Sequence, residues 1–473
     1  FAIASNGKIT VGGDFASYNR SAAGRYALLN ADGSLDGTSL ADCQADCGFD
    51  TRVVALAIQS DGKILAGGNF TAYNQQRYAQ YLTRLNSTGA VDTTFNSACS
   101  TSCGPNNSVN ALALQPDGKV LIGGAFSSYN GNTVASHIAR LNADGSLDTG
   151  FNSGCTSGCG LDNNVFAIAL QADGKILVGG AFTNYNGTPA SRIVRLNSDG
   201  TLDTTFTGSV GNNVRSVQEV DGPSGSKRIL IAGDFLAAGG GTLNRLARLL
   251  PDGTLDSAFN PGGTGANNQA VALGLADGRI LVWGQFTTYN GVSAGYFTRL
   301  NADGTLDTTF NSACSTGCGV NGMLWPYWAV AVQADGKIVA GGDFTTYNGV
   351  SANRIVRLNA DGSLDTSFNS SSICTVDCGF TAAPFVVALD AAGDLLVGGD
   401  FTNYNNRGAA YLTRIGSGTA SAPSTPTPTA TSTPSTPTPT ATSTASDRRW
   451  FGGGLHGRCA DVDDVRRGSG EWE

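Results

Sequence analysis

The sequence has few of the residues that catalytic and nucleic-acid-binding sites usually need. It contains two histidines, and 29 Lys and Arg stand against 37 Asp and Glu, which gives a formal net charge of −8. A chain with this balance does not neutralise the phosphates of a nucleic acid. A Ser-His-Asp or Cys-His site also needs a histidine beside a nucleophile. We therefore expect a protein that is not an enzyme, with no catalytic residues, no bound metal or cofactor and no nucleic-acid partner.

Long apolar runs and helix-forming residues are scarce as well. No apolar run reaches the ~18 residues that a membrane helix needs, so we expect no membrane span in this chain. Glutamate occurs only at Glu219, Glu471 and Glu473. The composition is instead rich in Gly, Asn, Thr and Asp, which favours short strands and tight turns. Phe1 begins inside a strand pattern without an initiator Met or a signal peptide, which predicts a processed or truncated product.

One unit of about 55 residues is repeated along most of the chain. Its clearest copy reads VFAIALQADGKILVGGAFTNYNGTPASRIVRLNSDGTLDTTF. The apolar segments Val165–Gln171 and Lys175–Phe182 flank an Asp-Gly turn and predict a hairpin. A Tyr-Asn-Gly loop leads to a third predicted strand, Arg192–Asn197, and a second Asp-Gly turn leads to a fourth, Leu202–Phe206. Four antiparallel strands per unit predict one blade of a β-propeller.

Eight copies of the unit can be aligned on the phenylalanine that follows the second strand. One small sheet cannot bury both of its faces alone, so the copies must pack on one another. We predict an all-β fold over residues 1–416, a β-propeller of eight four-stranded blades. The marker residues are Phe15, Phe70, Phe126, Phe182, Phe235, Phe286, Phe344 and Phe401.

The last copy, Phe385–Ile415, ends after its third strand and lacks the Leu-Asp-x-x-Phe segment. Residues upstream of Phe1 would supply the missing strand and close the ring. Alternatively, the C-terminal tail or a second molecule supplies it, which would allow homo-oligomers by strand addition.

The composition changes abruptly after the repeats. Residues 417–446 are rich in Ser, Thr and Pro, cannot build a core, and are predicted to form an extended linker or stalk open to O-glycosylation. Residues 447–473 show neither a strand nor a helix period. We expect this short tail to be disordered.

The signature Q-x-D-G-K-I-L-V-G-G-x-F followed by R-L-N-x-D-G-x-L-D-x-x-F resembles the delta-60 repeat family. That family is a β-propeller domain of unknown function in large bacterial secreted or surface proteins. The resemblance covers nearly all of residues 1–416. It implies the fold and an extracellular or cell-surface location, and it implies no activity.

Ten of the 11 cysteines form five Cys-x-x-x-Cys-Gly motifs, each between the fourth strand of one copy and the first strand of the next. Two thiolates without a nearby histidine do not complete a four-ligand zinc site, so a local disulfide in each loop is favoured over a metal site. Disulfides indicate an oxidising, extracytoplasmic location. Cys459 is left over, free or intermolecular. The predicted pairs are Cys43–Cys47, Cys99–Cys103, Cys155–Cys159, Cys314–Cys318 and Cys374–Cys378.

The cysteine loops and the Tyr-Asn-Gly loops are expected on one face, with the Asp-Gly turns on the other. The repeated tyrosines either pack on the next blade or form a ring for sugar or protein recognition. The junction Met323–Trp328 is longer than its counterparts and concentrates aromatic residues. The candidates for binding a glycan or protein ligand are Trp325, Tyr327, Tyr129, Tyr185, Tyr289 and Tyr347.

Arginine recurs on the third strand and aspartate on the fourth, as in Arg195 and Asp203. We expect cross-strand ion pairs, because calcium binding by a segment such as Asn142–Asp148 would use a loop shorter than the usual 12 residues.

Two functions remain. The chain is a surface binding or adhesion module, or it is a structural subunit that assembles into a filament or sheath through the incomplete eighth blade.

Overall fold

The computed structural model describes strands within residues 2–29, and residues 49–415 except 52, 74–79, 87–89, 101–102, 134, 242, 315–317, 323–329, 369–378, 390–394, 400–402, 405–406 and 409–411. The predicted stalk, the predicted tail and Cys459 lie outside this part of the chain. Among the described residues, no helix is long and apolar enough to cross a membrane.

The described residues form eight antiparallel three-stranded sheets, one for each of the repeats, which we number one to eight in chain order. In each sheet the second strand lies between the first and the third. The sheets are Ala2–Ile3, Ile9–Gly12 and Tyr26–Leu29; Val53–Ile58, Ile64–Gly68 and Leu82–Leu85; Val109–Leu114, Val120–Gly124 and Ile138–Leu141; Val165–Leu170, Ile176–Gly180 and Ile193–Leu196; Val214–Asp221, Lys227–Gly233 and Leu246–Leu249; Ala270–Gly274, Ile280–Gly284 and Phe297–Leu300; Val330–Val332, Ile338–Gly341 and Ile355–Leu358; Pro384–Leu389, Leu395–Gly399 and Leu412–Ile415.

Within the described residues, short two-stranded hairpins occupy the loop between the second and third strands in five of the repeats. A single turn of 3-10 helix, Pro223–Gly225, closes the first hairpin of repeat five. The two-stranded hairpins are Ser17–Tyr18 with Ser21–Ala22, Asn184–Tyr185 with Thr188–Pro189, Thr288–Tyr289 with Val292–Ser293, Thr346–Tyr347 with Val350–Ser351, and Asn403–Tyr404 with Arg407–Gly408.

The predicted fourth strand, Leu202–Phe206, is wrong beyond its first residue. Leu202 makes one isolated bridge to Leu196. The carboxylate of Asp203 then accepts hydrogen bonds from the backbone N–H and the hydroxyl of Thr205, at 3.0 and 2.6 Å. An aspartate that binds the backbone two residues on bends the chain into a turn. The segment therefore leaves the sheet, and the same single bridge occurs in repeats two, three, five, six and seven.

The hydrophobic core lies between neighbouring sheets. The first strands of successive repeats contact each other from repeat one to repeat six, and again between seven and eight. Close approach depends on small residues, since a Cβ on Gly179 would lie 2.7 Å from Cγ1 of Val214 in the next repeat. The all-β fold of packed repeats is thus confirmed. Four strands per blade are not found in the described residues, and eight blades in a closed ring stay a prediction.

The third-strand arginines of repeats two to six each hydrogen-bond to a backbone carbonyl of the next repeat. Nε of Arg195 donates to Asp203 at 2.7 Å, and Nη1 donates to the carbonyl of Pro251 in repeat five. Lys175 is also 2.9 Å from Asp203. Burial alone would raise the pKa of Asp203, but hydrogen bonds from Lys175, Thr205 and Arg195 hold it below its usual range. The expected ion pairs are confirmed, with equivalents Arg84–Asp92, Arg140–Asp148, Arg248–Asp256, Arg299–Asp307 and Arg357–Asp365.

Candidate binding face

The repeated tyrosines are core residues, which corrects one part of the expected binding site. The side chain of Tyr185 is fully buried, and its hydroxyl donates to the carbonyl oxygen of Gly200 in the second Asp-Gly turn. Burial raises the pKa of Tyr185 far above its usual value. A ring enclosed in this way cannot contact a ligand. The same burial and hydrogen bond occur at Tyr129, Tyr289 and Tyr347, which donate to Gly145, Gly304 and Gly362.

The asparagine that follows Tyr185 holds both ends of the cysteine loop between repeats three and four. Asn186 and Asn152 exchange side-chain hydrogen bonds of 2.6 and 2.9 Å. The side chain of Asn186 also accepts a hydrogen bond from the backbone N–H of Gly160, and the backbone N–H of Asn186 donates one to the carbonyl oxygen of Gly160. Both distances are 2.8 Å. Asn186 has φ of 49°, a left-handed conformation that asparagine tolerates. We call this arrangement the asparagine clamp, and it recurs as Asn96–Asn130, Asn260–Asn290 and Asn311–Asn348.

Disulfides close three of the loops within the described residues. Cys155 and Cys159 are bonded with Cα atoms 5.7 Å apart, and the tip residues Thr156, Ser157 and Gly158 are exposed. The other two bonds, Cys99–Cys103 and Cys314–Cys318, each have a Cα separation of 5.6 Å. The predicted pairs Cys43–Cys47 and Cys374–Cys378 lie outside the described residues and stay predictions. We call the surface that carries these loops the disulfide face.

The clamp does not depend on a disulfide. At the junction between repeats five and six, Pro261–Asn268, the chain has no cysteine. Asn290 nevertheless accepts the N–H of Gly265 at 2.7 Å and a side-chain hydrogen bond from Asn260 at 3.0 Å. The disulfide therefore constrains the tip of a loop whose ends are already fixed.

Repeat five breaks the pattern on the disulfide face. Ala238 and Gly239 stand where repeat four has Tyr185 and Asn186, so repeat five has no clamp residue. The junction before it, residues 207–213, is about half as long as the junction 152–164 and also has no cysteine. Both junctions that flank repeat five therefore lack the disulfide-closed loop.

A polar cluster occupies the disulfide face at repeat five. Asp234 forms an ion pair with Arg215, whose Nη2 lies 2.8 Å from Oδ2. The carboxylate of Asp234 also accepts hydrogen bonds from the side-chain NH2 groups of Asn213, at 3.1 Å, and Gln269, at 2.7 Å. The guanidinium of Arg215 lies 5.3 Å from the ring centroid of Phe166 in repeat four. We call these five residues the repeat-five cluster.

The electrostatics of the cluster are balanced. Burial would raise the pKa of Asp234, but the hydrogen bonds and the charge of Arg215 lower it, so the carboxylate is ionised and neutralises the guanidinium.

Sequence reasoning missed the cluster. The available signal was Arg215, a charged residue in the first strand where repeats two, three and four have Val54, Asn110 and Phe166.

Two predicted ligand-binding residues remain. Trp325 and Tyr327 lie outside the described residues, so their binding role stays a prediction.

Of the two histidines, His137 is described. Its Nδ1 lies 2.8 Å from the carbonyl oxygen of Leu161, which can only accept a hydrogen bond. Nδ1 therefore carries a proton and cannot take one from the nearby hydroxyl of Ser136. These two residues do not form a base and nucleophile pair.

A cleft of about 280 Å³ opens at the other ends of the strands, between the long first hairpin of repeat five and repeat six. Glu219 lines it, but the Glu219 carboxylate already accepts hydrogen bonds from Gln171 and from the N–H of Ala172. In the described part of the chain, no group of three or more His, Cys, Asp and Glu side chains is arranged to hold a metal ion.

Seven segments of the chain match the profile of a family described as a domain of unknown function (DUF5122) beta-propeller. They amount to more than half of the 473 residues. The chain belongs to this β-propeller family. The match confirms the resemblance to the repeat propellers, and the DUF5122 segments are residues 4–38, 59–95, 115–151, 171–206, 226–259, 275–310 and 333–368.

Solved structures with a similar architecture are distant from this DUF5122 chain. The extracellular domain of the putative one component system BT4673 from B. thetaiotaomicron is 13% identical with a TM-score of 0.41, over 79% of this chain but only 39% of that chain. The Dos1 propeller is 10% identical with a TM-score of 0.36, over 83% and 86%. A streptogramin B lyase is 15% identical with a TM-score of 0.30, over 73% and 89%. TM-scores below 0.5 carry no functional argument. No curated protein matches the sequence.

Proposed function

We propose that the chain is a non-catalytic, extracytoplasmic binding module that recognises its partner on the disulfide face. The observation that carries the proposal is the set of loops closed by Cys99–Cys103, Cys155–Cys159 and Cys314–Cys318. Each loop is fixed at both ends by an asparagine clamp and again by its disulfide, while the described tips are exposed. Loops that are rigid before binding lose little conformational entropy when a partner binds.

Local disulfides also support the proposed location. A disulfide between two cysteines four positions apart forms and persists in an oxidising compartment, such as the periplasm or the cell exterior. The chain therefore acts outside the cytoplasm, at the cell surface or in secreted form.

Binding to cell-envelope material from the source organism tests the proposal. The native chain should bind saturably, and Ser157→Arg, at an exposed loop tip, should weaken binding by about tenfold or more, because it places a long charged side chain in the contact. The matched control is Ala172→Arg, at an exposed position in an Asp-Gly turn at the opposite ends of the strands. Absence of saturable binding, or equal loss in both variants, would contradict the proposal.

The filament alternative assumes that the absent Leu-Asp-x-x-Phe segment leaves repeat eight incomplete at the edge of Leu412–Ile415. Repeats two to seven also form three-stranded sheets and gain one bridge each from that segment, so this edge differs little from theirs. The filament stays a prediction. Mass measurement and electron microscopy of native material would separate the two functions, because uniform monomers contradict the filament and ligand-independent polymers support it.

A further inference from the structure

We propose that the repeat-five cluster is a binding site for a neutral carbohydrate. This inference rests on the proposed function and names the ligand class. The cluster draws side chains from three consecutive repeats, with Phe166 from repeat four, Asn213, Arg215 and Asp234 from repeat five and Gln269 preceding the first strand of repeat six. It lies where both neighbouring junctions lack the disulfide-closed loop.

Asp234 fixes the orientation of its neighbours. A carboxylate only accepts hydrogen bonds, so the side-chain amides of Asn213 and Gln269 must both turn their NH2 groups toward Asp234. Their side-chain carbonyl oxygens are then left to accept hydrogen bonds from the hydroxyl groups of a ligand. Arg215 is held by both carboxylate oxygens of Asp234, each 3.0 Å from its Nε. The site is therefore ordered before any ligand arrives.

The charge balance selects the ligand class. Arg215 and Asp234 neutralise each other, so the cluster offers no net attraction to a phosphate, a uronate or a cation. It offers the side-chain carbonyl oxygens of Asn213 and Gln269 as acceptors. A sugar hydroxyl can donate a hydrogen bond to each of them, so neighbouring hydroxyls match this pair of acceptors.

Phe166 supplies the apolar part of the site. Its ring is half-buried and lies beside the Arg215 guanidinium. A pyranose has an apolar C–H surface as well as its hydroxyl rim, and an aromatic ring beside polar groups suits both. Leu236, two residues after Asp234, is 57% exposed and adds apolar surface in the same repeat.

Access to the cluster is open. The side chains of Arg215 and Asp234 are each 21% exposed although they pair with one another. The short junction 207–213 and the junction 261–268 flank the cluster without a disulfide-closed loop. The cysteine loops nearest to repeat five in sequence are those of Cys155 and Cys314, so neither junction beside the cluster carries one.

Affinity electrophoresis of the full chain through soluble polysaccharides tests the inference. Dextran, galactomannan and xyloglucan serve as neutral probes, with polygalacturonate and heparin as acidic counterparts. We expect at least one neutral polymer and neither acidic polymer to retard the chain. Phe166→Ala and Gln269→Ala should each weaken the association by about tenfold. The matched control is Val54→Ala, a half-buried residue at the equivalent first-strand position of repeat two.

The outcomes separate this inference from the proposed function. Retardation by the acidic polymers alone, or by none of the polymers, overturns the ligand class, while envelope binding tests the proposed function independently. Neutral binding that survives both cluster variants overturns the site and leaves the proposed function standing. Thermal unfolding of each variant is measured in parallel. If Phe166→Ala unfolds, Gln269→Ala decides the result, because the half-buried Gln269 side chain contributes one hydrogen bond to the cluster and no core packing.

Discussion

Asn186 and Asn152 exchange reciprocal side-chain hydrogen bonds of 2.6 and 2.9 Å, and this pair brackets the Cys155–Cys159 disulfide. The loop on the proposed binding face is thus held by two independent devices. One acts on its ends and the other on its tip.

The clamp predicts which change releases the loop ends. Asn186→Gly keeps the left-handed backbone but removes the side chain, so the N–H of Gly160 loses its partner and should exchange with solvent much faster. The expected stability loss is about 1–3 kcal/mol for the lost buried hydrogen bonds. Removing both Cys155 and Cys159 should leave the Gly160 amide protected. Amide hydrogen exchange measures both, and Asn290→Gly in the cysteine-free junction should expose the Gly265 amide in the same way.

The disulfides predict the thiol content of the native chain. Five closed loops leave Cys459 as the one remaining cysteine of the 11. Thiol titration under denaturing, non-reducing conditions should find at most one thiol per chain. Ten or more thiols would contradict both the pairing and the extracytoplasmic location.

Because Tyr185 is buried, its substitution should change the stability of the fold and leave ligand binding unchanged. Tyr185→Phe deletes the hydrogen bond to Gly200 and should lower the free energy of unfolding by about 1 kcal/mol. Envelope binding should be unchanged, because the ring does not reach the surface. Lost binding at unchanged stability would mean that this tyrosine contacts the ligand.

The Arg–Asp ion pairs within the repeats predict a loss of stability in acid. The pKa of Asp203 is below its usual 3.8, so the folded chain binds the proton less readily than the unfolded chain. The stabilising contribution is complete above the unfolded pKa and falls as pH drops below about 4. Urea unfolding from pH 7 to pH 2 measures it. Asp203→Asn should flatten the dependence, and an equally steep curve in that variant would contradict the assignment.

The close contact of repeats four and five predicts a compensating pair of substitutions. Gly179→Ala places a Cβ against Val214 and should cost about 1–3 kcal/mol by overpacking. Val214→Ala in the same chain should recover part of this loss, because the equivalent residues of repeats five and six are Ala232 and Ala270 in one core cluster. Additive losses in urea unfolding would contradict this packing.

Strong local patterns made much of the fold predictable. Alternating apolar segments around Asp-Gly turns predicted the hairpins, and the regular spacing of Arg195 and Asp203 predicted their ion pair. The local sequence pattern could not show that the fourth strand is absent. Leu202 and Phe206 have strand character, but the Asp203 side chain binds the following backbone and ends the strand.

The binding face was less predictable, because burial decides the role of each residue. A tyrosine beside Asn and Gly looks the same whether its hydroxyl meets water or the carbonyl of Gly200. The repeat-five cluster joins residues as distant in sequence as Phe166 and Gln269, so only the stacking of three repeats brings them together.

Amide hydrogen exchange of the native chain with and without cell-envelope material tests the binding face most directly. The account predicts new protection at the disulfide face, in residues 155–160 and 207–215, and unchanged exchange in the Asp-Gly turn at residues 172–175. Protection confined to the first Asp-Gly turns, such as residues 172–175, would contradict it.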